Sequence, residues 1–114
     1  MEHNMMLYNE SFEMIKSKIK TIEMRLNDDK RKKIKIDDII CFQNTKTEEK
    51  LYVKVINLFP CKNFNELYKL FKKESLGYKE NENADPNDML EYYSHEQIEQ
   101  YGVLGIEMSL FEND

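Results

Sequence analysis

The chain has 114 residues, of which 40% are apolar and 34% are charged, and its net charge is −5. This size predicts one domain spanning residues 1–114 and leaves no room for a separate catalytic domain. No apolar run approaches the ~20 residues that a membrane span needs, and residues 1–4 lack the basic and apolar regions of a secretory signal. We therefore expect a cytoplasmic protein that does not bind membranes.

The spacing of apolar residues predicts short strands and helices in alternation. In chain order, the predicted elements are a strand at 5–8, a helix after Ser11, a strand at 21–26, a helical turn through Lys33, strands at 39–42 and 51–59, a helix after Asn63, helix starts at Pro86 and Glu96, and a strand at 103–110. Pro60 is expected to end the long central strand. Residues 74–88 are acidic and poor in apolar side chains, so we expect an exposed connection there. This order fits an α+β fold, a small mixed β-barrel whose ends are closed by short helices.

The strand at residues 21–26 carries the most informative pattern. Alternation places Thr21, Glu23 and Arg25 on one face and apolar residues on the other. An acid and a base side by side, with Lys20 at the start of the strand, offer a ligand a hydrogen-bond acceptor and fixed cations. We expect Glu23 and Arg25 to face an open cleft. The alternative is a surface ion network, in which each pair contributes about 0–1 kcal/mol.

The charges are distributed unevenly along the chain. Residues 1–73 hold 16 of the 17 lysines and arginines against 11 acids, or +5, whereas residues 74–114 hold one lysine against 11 acids, or −10. The most compact basic tract consists of Lys30, Arg31, Lys32 and Lys33. Its positive field would attract phosphate next to the Glu23 and Arg25 face. The alternative is a solvated turn whose charge is balanced by the acidic C-terminal part.

Six short motifs follow one another along the chain. They are KTIEMRL (20–26), IDDIICF (36–42), VKV (53–55), FNELY (64–68), LGY (76–78) and YGVLGI (101–106). In this order they resemble the signature of the ASCH domain, a small family with the PUA-like barrel fold. Two glycines of that family are replaced here, around Lys18 and at Asp37, and aspartate tolerates a left-handed turn at some cost.

The resemblance implies a module that binds RNA or a modified nucleotide in a cleft between the barrel and the helices, without a cofactor. The candidate binding residues are Lys20, Glu23, Arg25, Asn27, Lys30, Arg31, Lys32, Lys33 and Tyr93. In this interpretation the basic side chains contact phosphate and Glu23 contacts a base edge. Tyr93, with Tyr92 and Tyr101 as further candidates, either stacks on a base or packs within the helical segment.

The same resemblance leaves an enzyme open as the alternative. Some small relatives hydrolyse the acetyl amide of acetylated cytidine with a lysine, a threonine and a glutamate, and others cleave RNA. Lys20 matches that lysine, but the second threonine of their strand is Glu23 here, which removes the expected hydroxyl. Their glutamate precedes the last strand, where Glu96 or Glu91 is the possible counterpart. If the chain is an enzyme, the candidate catalytic residues are therefore Lys20, Glu23 and Glu96.

Other reactive side chains favour structural roles. Serine, histidine and glutamate are adjacent at Ser94–Glu96, but neighbours at a helix start point in different directions, so we do not expect a hydrolytic triad. His3 has no second ligand near it in the sequence, and we expect no metal site. Cys41 and Cys61 lack the spacing of a zinc or redox motif and are expected to be buried and reduced.

Overall fold

The computed structural model describes residues 1–111 as a curled five-stranded mixed sheet, a half-barrel, with short helices around it. The strands are β1 (Glu2–Leu7), β2 (Ile22–Leu26), β3 (Ile39–Asn44), β4 (Lys50–Cys61) and β5 (Val103–Leu110). The α-helices are α1 (Asn9–Lys16), α2 (Phe64–Tyr68) and α3 (His95–Tyr101), and 3-10 helices cover Arg31–Lys33, Lys73–Leu76 and Pro86–Glu91. The α+β fold class predicted from the sequence is confirmed.

The sheet has the strand order β1-β3-β4-β5-β2, so β1 and β2 are its edge strands. β1 runs parallel to β3, and all other neighbouring pairs are antiparallel. Arg25 on β2 reaches across to β1, where its Nη2 donates a hydrogen bond to the Met6 carbonyl at 2.8 Å. This bond joins the two edges of the curled sheet and keeps the polar face of β2 next to the end of β1.

Apolar side chains pack in two clusters. The larger one packs α1 against β1, β3, β4 and β5 and contains Phe12 and Phe42, which are fully buried. The second packs α2 and the later helical segments against β2 and β5, with Leu67 and Met89 among its members. A Cβ atom on Gly105 of β5 would lie 2.7 Å from Leu67 Cδ1, so glycine at this position is what allows α2 to approach the sheet.

Helix starts follow the local signals in the sequence. The Asn63 side chain accepts a hydrogen bond from the Glu66 N–H at the start of α2. Ser94 and Gln97 form a capping box at the start of α3, with each side chain bonded to the other residue's backbone. The long strand β4 carries a β-bulge between Val55 and Asn57.

Two predictions about strand ends and connections are wrong. β4 continues through Pro60 to Cys61. Its pairing with β3 ends at Lys54, opposite Ile39, and beyond that point β4 pairs with β5 alone. Proline is tolerated where one side of a strand is unpaired. Residues 74–88 are more than an exposed connection, since Leu76 is buried and the region contributes two helical segments to the second cluster.

Three residues other than glycine adopt positive φ angles. They are Lys18 at 67°, Asp37 at 77° and Glu48 at 64°. Lys18 and Asp37 mark the two places where the resemblance described above implies that a glycine has been replaced. The left-handed turn expected at Asp37 is present. Each such conformation costs about 1–2 kcal/mol for a residue with a Cβ atom.

Cys41 is buried as expected, whereas Cys61 is only partly buried, and both are free thiols. Within residues 1–111, no helix combines the length and the apolar character needed to cross a membrane.

Candidate functional site

Lys20, Glu23 and Arg25 meet in one buried ion cluster. Lys20 Nζ lies 2.9 Å from Glu23 Oε1, and Arg25 donates to Glu23 Oε2 through Nη2 at 2.8 Å and Nε at 3.0 Å. Alternation along β2 puts Glu23 and Arg25 on one face, and the left-handed turn at Lys18 leads the chain from α1 to Lys20. Only 8%, 4% and 14% of the three side chains is exposed. The cluster is therefore an interior structure and not a surface ion network.

The charge of Glu23 is fixed by its two neighbours. Burial raises the pKa of this carboxyl, but the Lys20 and Arg25 cations outweigh that effect and lower the pKa to about 2. Burial likewise lowers the pKa of Arg25, and the Glu23 carboxylate reverses the effect, leaving that pKa above its ordinary value. At neutral pH the cluster therefore carries two positive charges and one negative charge.

The hydrogen bonds of Glu23 leave it no role at an open surface. Oε1 accepts from Lys20 and from the Met24 N–H at 3.2 Å, and Oε2 accepts twice from Arg25. From the sequence, Glu23 was expected to face an open cleft and to offer an acceptor; it does line a cleft, but it is 3% exposed and both of its oxygens are already engaged. Glu23 instead holds the two cations in place, and Lys20 and Arg25 are the groups that a ligand can meet.

This cluster lines a cleft of about 1130 Å³ between β2 and the 3-10 helix Pro86–Glu91. Tyr8 and Tyr92 also line the cleft, and they are 65% and 52% exposed. Because the ions are buried and these tyrosines are exposed, the ion cluster forms the floor of the cleft and the tyrosines belong to its rim. The tyrosines that line the cleft are Tyr8, Tyr68, Tyr78, Tyr92 and Tyr93.

Two features fix the part of the lining that holds Tyr68 and Tyr78, here called the aromatic wall. The Tyr68 and Tyr78 hydroxyls are 2.8 Å apart, and the Tyr78 hydroxyl donates to Asp88 Oδ2 at 2.9 Å. Burial raises the pKa of Tyr78 well above its ordinary value, so this donor keeps its proton. Gly77 has a φ of 102°, and a Cβ atom there would lie 3.1 Å from Lys20 Cδ, so glycine lets the wall close over the lysine side chain.

Acidic side chains surround the cationic floor. Besides Glu23, four carboxylates line the cleft: Glu10, Glu82, Asp88 and Glu91. The lining therefore contains five acids against the two bases Lys20 and Arg25. Such a cleft repels a string of phosphates, but it suits a flat, mostly neutral group that accepts hydrogen bonds at the floor and stacks on tyrosine at the rim.

A second concavity adjoins the cleft. It has a volume of about 330 Å³ and shares Arg25 and Met6 with the cleft. Lys30, Arg31 and Lys50 also line it. No acidic residue contributes to this lining in the described part of the chain.

The structure brings together some of the sequence-predicted residues and separates others. Lys20, Glu23, Arg25 and Tyr93 line the cleft, whereas Lys30 and Arg31 line the smaller concavity. The sequence-predicted residues that line neither the cleft nor the smaller concavity are Asn27, Lys32, Lys33, Glu96 and Tyr101.

Among the residues outside both concavities, Asn27 has a backbone role, because its N–H donates to the Gly102 carbonyl. Of the two glutamates considered as the counterpart before the last strand, Glu91 lines the cleft and Glu96 does not.

Sequence reasoning missed several lining residues. Tyr8, Tyr68 and Tyr78 line the cleft and Lys50 lines the smaller concavity. Tyr78 belongs to the LGY motif, which was a usable signal. Lys50 had none, because only the folded chain brings it to the same concavity as Lys30.

Residues 1–111 contain no group of three or more His, Cys, Asp or Glu side chains that could hold a metal ion. His3, considered above as a ligand, instead pairs with Asp38 at 2.8 Å.

Comparison with known proteins gives one family and several similar structures. The ASCH domain family matches residues 5–112. The crystal structure of hypothetical protein PH0355 is 31% identical and has a TM-score of 0.82, with 97% of this chain and 100% of that chain covered. Protein PF0455 from Pyrococcus furiosus is 31% identical with a TM-score of 0.76, over 99% of this chain and 100% of that one.

A third similar structure shows the fold alone. A mutant of ZmASCH from Zymomonas mobilis is 15% identical with a TM-score of 0.61, over 97% of this chain and 68% of that chain. Among curated proteins, none matches this chain.

Proposed function

This chain belongs to the ASCH domain family, and we propose that it binds RNA, with one nucleotide, standard or modified, held by its base in the cleft. The observation that carries the proposal is the buried Lys20–Glu23–Arg25 cluster beneath a rim of tyrosines. Burying two cations this deeply carries a desolvation cost, and apolar residues in their place would often give a fold that is as stable. Stability alone therefore does not account for the cluster. A binding site gives that cost a function.

The donors of the cluster match the edge of a base. Lys20 Nζ has three N–H bonds and is near Glu23 and, at 3.4 Å, Ser11 Oγ. In Arg25, Nε and Nη2 donate to Glu23, and Nη2 also donates to the Met6 carbonyl. Nη1 has no hydrogen bond to residues 1–111. These remaining donors can bind carbonyl or ring-nitrogen acceptors of a base, and tyrosines at the rim can stack on its face.

Hydrolysis of acetylated cytidine, or cleavage of RNA, is the second candidate function. One observation favours it, because Ser11 Oγ near Lys20 supplies a hydroxyl that the Glu23 position lacks. The salt bridge between Lys20 and Glu23, at 2.9 Å, favours binding, because a lysine ammonium engaged in a salt bridge has no lone pair with which to act as a base or nucleophile. Binding is therefore the function that the geometry supports best.

The test of the binding proposal is a panel of nucleosides, including acetylated cytidine, and short single-stranded RNAs, titrated by calorimetry and anisotropy. Tyr92→Ala should weaken binding because it removes a rim aromatic, and loss of base stacking costs about 1–3 kcal/mol. Tyr52→Ala is the matched control, since Tyr52 is 40% exposed but lies outside the cleft. Equal affinities of the two variants and the wild type would contradict the proposal.

One substitution separates binding from catalysis. Lys20→Arg keeps a cation at the floor, so binding should be retained in part. If wild-type protein hydrolyses acetylated cytidine or RNA and Lys20→Arg loses that turnover, the chain is an enzyme and Lys20 is catalytic. Binding without turnover in both proteins is the result we expect.

A further inference from the structure

We propose that the smaller concavity, lined by Arg25, Lys30, Arg31 and Lys50, is a phosphate groove that binds the RNA backbone next to the nucleotide in the cleft. The inference rests on the proposed function and extends it to a second site. The four charged residues that line this concavity are all basic, whereas the cleft is lined by five acids and two bases. Electrostatics therefore directs a base into the cleft and its phosphates into the groove.

The two guanidinium groups of the groove are held in fixed positions. Arg25 is bonded to Glu23 and to the Met6 carbonyl. Arg31 Nη1 is 3.0 Å from Asp28 Oδ2, and Asp28 Oδ1 accepts from the Arg31 backbone N–H at 3.1 Å. A guanidinium fixed in this way presents its remaining N–H groups without further loss of side-chain entropy, and its planar fork matches phosphate oxygens.

One of these groups has an unmet hydrogen bond. Arg31 Nε is the one buried side-chain nitrogen or oxygen in residues 1–111 that has no hydrogen-bond partner. An unsatisfied buried donor is unfavourable, so Arg31 is a lining residue of the groove whose hydrogen bonding residues 1–111 leave incomplete.

The two lysines of the groove supply exposed charge. Both Lys30 and Lys50 are exposed, and neither forms a salt bridge with another described residue. Lys30 reaches the concavity from the turn after β2, and Lys50 reaches it from the start of β4. The basic tract read from the sequence is thereby divided, since Lys30 and Arg31 line the groove and the next two lysines do not.

The groove and the cleft adjoin at two shared residues, Met6 and Arg25, of which only Arg25 is charged. Arg25 lines both concavities, and a nucleotide bound with its base on one side of this side chain has its phosphate on the other side. The ligand of the complete site is thus a single-stranded oligonucleotide, and a free nucleoside fills only half of it.

The test compares two double variants with equal loss of charge. Lys30→Gln with Lys50→Gln removes the two exposed cations of the groove, and Lys32→Gln with Lys33→Gln removes two exposed cations from the neighbouring 3-10 helix. Each protein is titrated with a fluorescein-labelled single-stranded hexaribonucleotide from low to high salt. It is also titrated with the panel nucleoside that binds the wild type most tightly.

We expect the groove variant to lose two phosphate contacts, which lowers the salt slope of its RNA affinity by about 1.4. If affinity is unchanged at 1 M salt, this slope change means about 25-fold weaker RNA binding at 0.1 M. Affinity for the nucleoside should not change, and the control variant should remain close to the wild type.

The possible failures can be told apart. Wild-type RNA affinity and slope in the groove variant would overturn the inference and leave the cleft proposal intact. Equal losses in both double variants would also overturn it, because they would indicate a diffuse positive field. A loss in the groove variant together with no effect of Tyr92→Ala would overturn the proposed cleft function and support the groove. A wild type that binds no RNA would overturn both.

Discussion

Replacing Glu23 with glutamine tests whether this carboxylate holds the two buried cations in place. The substitution keeps the size of the side chain but removes its charge, leaving Lys20 and Arg25 buried without a counterion. A folded-state pKa of about 2 against the ordinary 4.5 corresponds to about 3 kcal/mol of stability at neutral pH. Breaking a buried pair by removing one partner costs about 3–5 kcal/mol, and the two figures agree.

The pH dependence provides the sharper part of the test. Because folding lowers the pKa of Glu23, its contribution is fully present above the unfolded value of 4.5 and is lost as the pH falls towards 2. The stability deficit of Glu23→Gln should therefore be about 3–5 kcal/mol at pH 7 and should shrink through that acid range. Urea unfolding followed by circular dichroism measures it, since a small domain has about 5–15 kcal/mol in reserve.

Glu49→Gln is the matched control for this experiment. The Lys16–Glu49 pair is as short, at 2.7 Å, but its side chains are 48% and 42% exposed, so its loss should leave the unfolding midpoint nearly unchanged. A Glu23→Gln protein as stable as the wild type at pH 7 would refute the reasoning. So would a deficit that stays constant down to pH 2, because Glu23 is then protonated in the wild type too.

Three further predictions concern packing, backbone strain and the aromatic wall. Gly105→Ala should destabilise the fold by about 1–3 kcal/mol in urea unfolding, since its Cβ would lie 2.7 Å from Leu67 Cδ1; an unchanged midpoint would mean that α2 shifts freely. Glu48→Gly should stabilise the fold by up to about 1 kcal/mol, because φ is 64° there and glycine relieves the strain, even after the added freedom of the unfolded chain is subtracted. The control Glu13→Gly, inside α1, should cost about 1 kcal/mol. Equal effects of the two substitutions would contradict the strain argument. Tyr78→Phe should cost about 1–2 kcal/mol by removing the donor to Asp88, and thermal unfolding of this variant at wild-type temperature would show that the bond contributes nothing.

Local patterns in the sequence were sufficient for most of the elements. Alternation along β2 predicted that Glu23 and Arg25 share a face, and the capping residues Asn63 and Ser94 begin helices where expected. These signals work because side-chain direction and helix capping depend on residues a few positions apart. Pro60 shows the limit of such rules, since its effect depends on whether a neighbouring strand is present on its open side.

The roles of the site residues required the tertiary structure. The sequence showed a basic part and an acidic part of the chain, but not that Asp88 and Glu91 from the acidic part would line the cleft above Lys20. It also could not show that Glu23 is buried and saturated with hydrogen bonds, because burial and partner choice depend on which distant segments cover β2.

The division between base cleft and phosphate groove has the same origin. Lys30 and Lys50 are 20 positions apart in the sequence but line one concavity, while Lys32, two residues after Lys30, lies outside it. Periodicity and capping act within a few residues, so the sequence alone determined the elements and their polar faces. Charge complementarity acts through space, so only the folded chain decided which of these charges bind one another and which remain for a ligand.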